Sequence, residues 1–216
     1  MTTLRTGFKI AILGAESTGK SQLAQALAQH FSQQGWATHR VDEYLREWCD
    51  QHQRTPQQQE QVLIAHTQIA RVEAAPAQAI VIADTTPIMT AVYSQLLFQD
   101  HSLDDMALAH QHLFDVTFIT GLDVPWVADG LQRDGPHVRA PVDAAIRSLL
   151  AKGNIAYQVV YGQGEERLTN ALHGLAQYAP ALQKLRSEIA PRWTGPCETC
   201  GDGDCEHRLF TQLLKG

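Results

Sequence analysis

The residues best suited to chemistry by type and spacing are Gly14-Ala15-Glu16-Ser17-Thr18-Gly19-Lys20-Ser21. They fit the pattern G-x-x-x-x-G-K-S/T at every position, the arrangement of a phosphate-cradling P-loop. Glycine at either end lets the backbone take conformations that a Cβ would forbid, so successive N–H groups can turn inward toward anionic oxygens. A lysine in the place of Lys20 reaches the β- and γ-phosphates of a nucleoside triphosphate, and a hydroxyl in the place of Ser21 occupies one position on Mg²⁺. The whole segment, Gly14 to Ser21, is therefore expected to bind ATP.

Three carboxylates stand where a chain of this kind places ligand-facing groups. Asp42 and Glu43 follow the extended run Ala37 to Val41, and Asp84 follows the uninterrupted apolar run Ala79 to Ala83. The carboxyl ends of strands are where open α/β sheets hold ligands, and Asp after an apolar strand has the form of a Walker B element. Near the other end of the chain, Cys197, Cys200, Cys205 and His207 offer four soft or borderline ligands. That is enough for a closed tetrahedral zinc site acting as a structural clip; a flexible, reduced tail is the alternative. The odd number of cysteines in this cluster and the nearby histidine point to metal before disulfide.

The elements that must position these groups follow from periodicity. Ile10 to Leu13 is a short apolar run, as expected of a strand covered on both faces, and Leu23, Ala24, Leu27, Ala28 and Phe31 recur at helical spacing after the loop. Further strands are expected at Ala37 to Val41, Ala79 to Ala83, Val116 to Ile119 and Ala156 to Val160. Helices are expected from Tyr44, through the glutamine-rich stretch to about Ala74, from Pro87, over Asp104 to Leu113, up to Leu150 and up to Tyr178. Strands alternating with helices predict a three-layer α/β fold with a five-stranded parallel sheet. A P-loop domain is expected over 1–180, and a small Cys-rich extension over 181–216.

Bulk properties narrow the partners. The formal net charge is −6, and the 17 Lys and Arg are scattered or placed singly in motifs, which argues against binding to a nucleic-acid backbone. No apolar run approaches a membrane span, and the first one leads directly into the phosphate loop, so a cytoplasmic protein is expected. A small-molecule substrate fits this picture, and oligomeric state is left open.

Taken together, GAESTGKS, the segment Val41 to Glu47 with its E-Y-x-R-E, Asp84-Thr85, the segment DVPWVADG from Asp123 to Gly130, and Gly162-x-Gly164-Glu165-Glu166-Arg167 resemble the ribosylnicotinamide kinase domain of bacterial NadR-type proteins. The resemblance spans about residues 8–176. It implies transfer of the γ-phosphoryl of ATP to the 5′-hydroxyl of nicotinamide riboside, giving nicotinamide mononucleotide, with Mg²⁺ as cofactor. Only seven residues precede Phe8, so the adenylyl transfer of larger family members is not expected. A kinase for another nucleoside or small hydroxyl compound, and a regulatory NTP-binding protein or ATPase, are the alternatives.

The resemblance also distributes roles. Lys20 neutralises the transferring group. Glu43 or Asp42 orients the acceptor hydroxyl and takes its proton, unless one of them caps the helix near Leu45. Asp84 orders the Mg²⁺ shell, binds the ribose hydroxyls, or caps the helix at Pro87, a place for which Thr86 competes. Arg46 aims at substrate or phosphate, and Arg133 and Arg139 flank a Gly-Pro pair in a lid whose D-G-x-R pattern is shifted here by one residue, where one of them would close over the phosphates. Tyr44 and Trp126 offer faces on which a pyridinium would stack, with Asp123 and Asp129 supplying negative charge. Gly162, Gly164 and Arg167 lie where such kinases hold the adenine.

Overall fold

The computed structural model describes residues 7–127 and 135–183. Asp129, Arg133, Cys197, Cys200, Cys205 and His207 lie outside these residues. The elements run β1 (Phe8–Leu13), α1 (Lys20–Gln33), β2 (Thr38–Val41), α2 (Tyr44–His52), α3 (Gln58–Glu73), β3 (Ile80–Asp84), α4 (Pro87–Phe98), α5 (Asp104–Gln111), β4 (Val116–Thr120), α6 (Arg139–Lys152), β5 (Gln158–Val160) and α7 (Gly164–Leu175). The helix α7 ends three residues before Tyr178, where a 3₁₀ turn takes over at Ala176–Tyr178.

The strands form one sheet in the order β2-β3-β1-β4-β5, and every pairing is parallel. This is the arrangement expected from apolar strands separated by helices, because a parallel crossover places each helix on a sheet face. β3 and β4 are buried along their whole length, and β1 is buried except at Lys9. The edge strands β2 and β5 are only partly covered and correspondingly mix polar with apolar residues.

Alternation within β1 divides the core. Leu13 packs with Ile88, Val92, Leu108, Ile119 and Ile146, so α4, α5 and α6 close one side of the sheet. Ala11 packs with Val72, Val81 and Phe114 on the same side, toward α3. Ile10 and Ile12 are fully buried and, by the strand's two-residue period, face the other side, where α1 and α7 lie against the sheet and each other. Among the described residues no helix is long and apolar enough to cross a membrane.

Register brings the chemistry to one edge. Ile12 is level with Asp84 and Ile119 with Val159, so the carboxyl ends of the central strands finish side by side. The phosphate loop leaves β1 between β3 and β4, where the chain's connections diverge in opposite directions along the sheet. Ligands of open α/β sheets bind at such a point.

Candidate active site

The loop after β1 is built by a few unusual backbone conformations. Gly14 (φ 149°) and Gly19 (φ 81°) take positive φ, and so does Ser17 (φ 54°). A Cβ on Gly14 would run into the side chain of Thr120. That close approach is used: the Thr18 and Thr120 hydroxyls hydrogen-bond at 2.6 Å, Thr18 Oγ1 donates to Ala15 O at 2.7 Å, and Thr120 Oγ1 also reaches Leu13 O at 3.2 Å. The end of β4 thus braces the turn from beneath. Lys20 is buried and donates from Nζ to Ala15 O at 3.0 Å, folded back over the loop it follows.

Two clefts meet at this lysine. One, about 830 Å³, runs along Ser17 to Ser21 and is walled by Val124, Pro125, Gly164 and Arg167. The other, about 350 Å³, lies under α2, α3 and α4 and includes Glu16, Glu43, Gln61, Tyr93, Leu97 and His137. Lys20 and Arg46 line both. A phosphate donor along the loop and an acceptor in the second cleft would therefore face each other across these two cations.

Of the neighbouring carboxylates Asp42 and Glu43, Glu43 is the one that enters the second cleft. Its side chain is 10% exposed, and Arg46 Nη2 approaches Oε2 at 3.5 Å. Burial raises its pKa above the usual carboxylate value; Lys20 pulls it back, Asp84 pushes it further up, and Arg46 lowers it. Glu43 occupies the N-cap place of α2 without a side-chain cap bond, so its carboxylate is not spent on the helix. Asp42 corrects one expectation. Its side chain is 62% exposed and paired with Arg40 at 2.8 Å, and it lines neither cleft. Successive residues of an extended segment point to opposite sides, so only one of the pair can face inward.

Asp84 ends β3 fully within the protein, and its Oδ1 has no hydrogen-bond partner among the described residues. The capping alternative goes to Thr86, whose Oγ1 accepts from Ile88 N at 3.4 Å, with Pro87 at the first helical position. The next residue, Thr85, holds φ 74°, an outlier for a β-branched side chain that costs on the order of 1–3 kcal/mol. Its N–H donates to Ile12 O at 3.0 Å, which ties the strained turn to β1. An orphaned buried carboxylate oxygen beside the phosphate loop suits a cation. Mg²⁺ commonly takes one or two protein ligands and completes its shell from phosphates and water, so Ser21 and Asp84 are a sufficient protein share. Among the described residues no cluster of three or more His, Cys, Asp or Glu forms a separate metal cage.

The remaining expected residues divide. Arg167 is buried, donates from Nη1 to Thr18 O, and pairs through Nη2 with Asp123 at 2.9 Å. Burial lowers its pKa, the Asp123 charge opposes this, and Arg139 adds to the lowering. Asp123 also accepts from Gly162 N at 2.7 Å. It is thus a tie between the ends of β4 and β5 and not a counter-charge in the second cleft, and Gly162 serves the same tie. Tyr44 is also placed elsewhere: its ring lies under Arg71, 4.5 Å from the guanidinium carbon, and it lines neither cleft. Trp126 lines neither cleft itself, whereas Val124, Pro125 and Val127 around it wall the first. Val127 N donates to Ser17 Oγ at 2.9 Å, drawing this segment over the phosphate loop. Arg139 opens α6, is buried, and donates from Nη1 to Val124 O at 2.9 Å, while its Nε and Nη2 have no partner among the described residues.

Sequence reasoning missed the glutamines of α3. Gln61 and Gln68 are both buried, on the same face as Ile64, Ala65 and Val72. Gln68 Oε1 accepts from Tyr44 N at 2.9 Å, and its Nε2 donates to Asp42 O and Thr85 O, each at 3.4 Å. One amide therefore holds the backbone on both sides of Glu43 and next to Asp84. The signal was present: two glutamines seven residues apart interrupt an otherwise apolar helical stripe.

A family model described as an AAA domain matches residues 9–167. The chain belongs to this AAA domain family. The match runs from β1 to Arg167 and contains every residue lining the two clefts except Leu168. No curated protein matches the sequence. Among solved structures, a NadR protein in complex with NR matches with TM-score 0.67 and 18% identity, over 81% of this chain and 52% of that one. The present chain thus spans about half the length of that protein. A thymidylate kinase from Ehrlichia chaffeensis matches with TM-score 0.57 and 16% identity, over 80% and 98% of the two chains. A deoxyadenosine kinase from M. mycoides with bound dCTP matches with TM-score 0.52 and 10% identity, over 79% and 100%. These likenesses show that the three-layer α/β fold with its parallel sheet is shared with those proteins.

Proposed function

We propose that this protein is an ATP-dependent kinase that phosphorylates the 5′-hydroxyl of nicotinamide riboside to give nicotinamide mononucleotide. The observation that carries the reading is the meeting of two clefts at Lys20 and Arg46, with the buried carboxylate of Glu43 in the second. Support for the acceptor comes from the E-Y-x-R-E and D-V-P-W-x-x-D-G segments and from the likeness to a NadR protein in complex with NR.

Phosphoryl transfer needs little covalent help from the protein, so positioning and neutralisation of charge account for most of the catalysis. ATP lies along Ser17 to Ser21, with the loop N–H groups on its phosphates and its base between the Val124–Val127 segment and Gly164 to Arg167. Lys20 leaves Ala15 O for the β/γ oxygens. The free N–H groups of Arg139 supply charge near the same loop. Ser21 and Asp84 would hold Mg²⁺, which when bound would supply further neutralisation of the phosphate charge. Glu43 accepts the proton of the acceptor hydroxyl as that oxygen bonds to the γ-phosphorus, while the bond from phosphorus to the β–γ bridging oxygen breaks and ADP leaves.

The test is a panel of acceptors with ATP, scored for ADP and phosphorylated product. Nicotinamide riboside should be phosphorylated far better than uridine or cytidine, and Lys20→Ala should reduce turnover by about 10²- to 10³-fold or more while leaving the fold intact. Comparable rates with the common nucleosides would refute the acceptor, and near-normal turnover by folded Lys20→Ala would refute the kinase.

A further inference from the structure

Gln61 lies in the second turn of α3, 2% exposed, on the wall of the second cleft. Its Oε1 is buried and has no hydrogen-bond partner among the described residues. The contrast with Gln68, two turns along the same face, is informative, because that amide is used at both ends by backbone groups. A buried amide left unpaired costs about 1–3 kcal/mol. The cost is recovered if a ligand supplies the partners.

We infer that Gln61 selects the acceptor by pairing with a planar edge that carries a hydrogen-bond donor beside an acceptor, as a primary carboxamide or an amino-substituted nitrogen heterocycle does. This deepens the kinase reading above and rests on it. A glutamine amide presents one oxygen and one NH₂, so whichever way it is turned its complement has one donor and one acceptor. A carboxylate in the same place offers acceptors alone and would set an oxygen against Oε1. Glu43 and Glu16 on the same cleft also disfavour an anionic ring substituent. The rest of the wall near α4, Tyr93, Leu96 and Leu97, is apolar or aromatic and suits the faces of a flat ring, leaving Gln61 to read its edge. A site built to hydrogen-bond its substrate rejects analogues lacking that group, because the buried partner is then left unpaired.

The experiment compares kcat/KM within two pairs of acceptors: nicotinamide riboside against the pyridinium riboside lacking the carboxamide, and adenosine against purine riboside lacking the amino group. The wild-type protein should favour the edge-bearing member of one pair by about tenfold or more, as expected for two neutral hydrogen bonds. Gln61→Met, close in size, should bring that ratio near one with the KM for ATP unchanged. Gln61→Glu, of the same shape but with acceptors alone when ionised, should lower it as well, and replaces the methionine variant should that one fail to fold. An unchanged ratio in either folded variant, or no discrimination by the wild type, would overturn the inference. Discrimination confined to the adenosine pair would keep the role of Gln61 and remove nicotinamide riboside as the acceptor. Preferred phosphorylation of nicotinamide riboside with a ratio indifferent to residue 61 would do the reverse.

Discussion

His110 makes a prediction about stability that the structure allows to be worked through. The residue is buried in α5, its ring edge-on to Phe114 with centroids 5.5 Å apart, and neither ring nitrogen has a hydrogen-bond partner among the described residues. Burial, reinforced by the positive charge of Lys9, lowers its pKa from 6.5 to about 4. The unfolded chain restores the ordinary value. Between those two values the unfolded state binds more protons than the folded state, so stability falls as pH falls. At about 1.36 kcal/mol per pH unit, the gap between 6.5 and about 4 amounts to about 3 kcal/mol, most of it lost by about pH 4.5. That is a large share of the 5–15 kcal/mol typical of a folded domain. His110→Leu is close in volume and has no proton to take up. Urea unfolding of both proteins at about pH 7 and about pH 4.5 should show the wild type losing about 2–3 kcal/mol more than the variant, the carboxylates cancelling in the comparison. Equal losses would show that His110 takes up its proton in the folded state at its ordinary pKa, and the argument from burial would be wrong.

Glu43→Gln should lower kcat by about 10²-fold with little change in the KM for ATP, since it alters acceptor activation and leaves the phosphate cradle in place. In the wild type the acid limb of the pH profile should lie above the usual carboxylate range, because burial raises the pKa of Glu43 and activity appears only as the proton leaves. A limb of the same position in Glu43→Gln would assign it to another group. Purified protein prepared without chelators should contain about one zinc per chain, as a single four-ligand site requires, and Cys200→Ser should lose it while still binding nucleotide; metal-free protein with freely reactive tail thiols would end the zinc proposal.

The donor half of the site is legible in the sequence because its chemistry is local. A phosphate cradle needs glycine, lysine and hydroxyl at fixed offsets along one segment, so Gly14 to Ser21 identify it before any folding is considered. The strands were legible for a related reason: β1, β3 and β4 are covered on both faces, and only uninterrupted apolar runs satisfy that environment.

Tertiary structure decided everything that depends on which way a side chain turns. Asp42 and Glu43 are neighbours of the same charge at the same strand end, and no pattern separates them; the pairing of β2 with β3 and the seating of α2 send one to solvent and the other into the cleft. Asp123 and Arg167 are 44 residues apart and become one tie only because β4 and β5 are adjacent. The acceptor cleft is likewise assembled from segments distant in the chain, with Glu43, Gln61, Tyr93 and His137 coming from four separate stretches. Gln61 and Gln68 look alike in the sequence, two polar residues on an apolar stripe. Packing alone gives one of them backbone groups to hold and leaves the Oε1 of the other without a partner among the described residues, on the wall of the second cleft, since a hydrogen bond depends on where groups meet in space and not on their order along the chain.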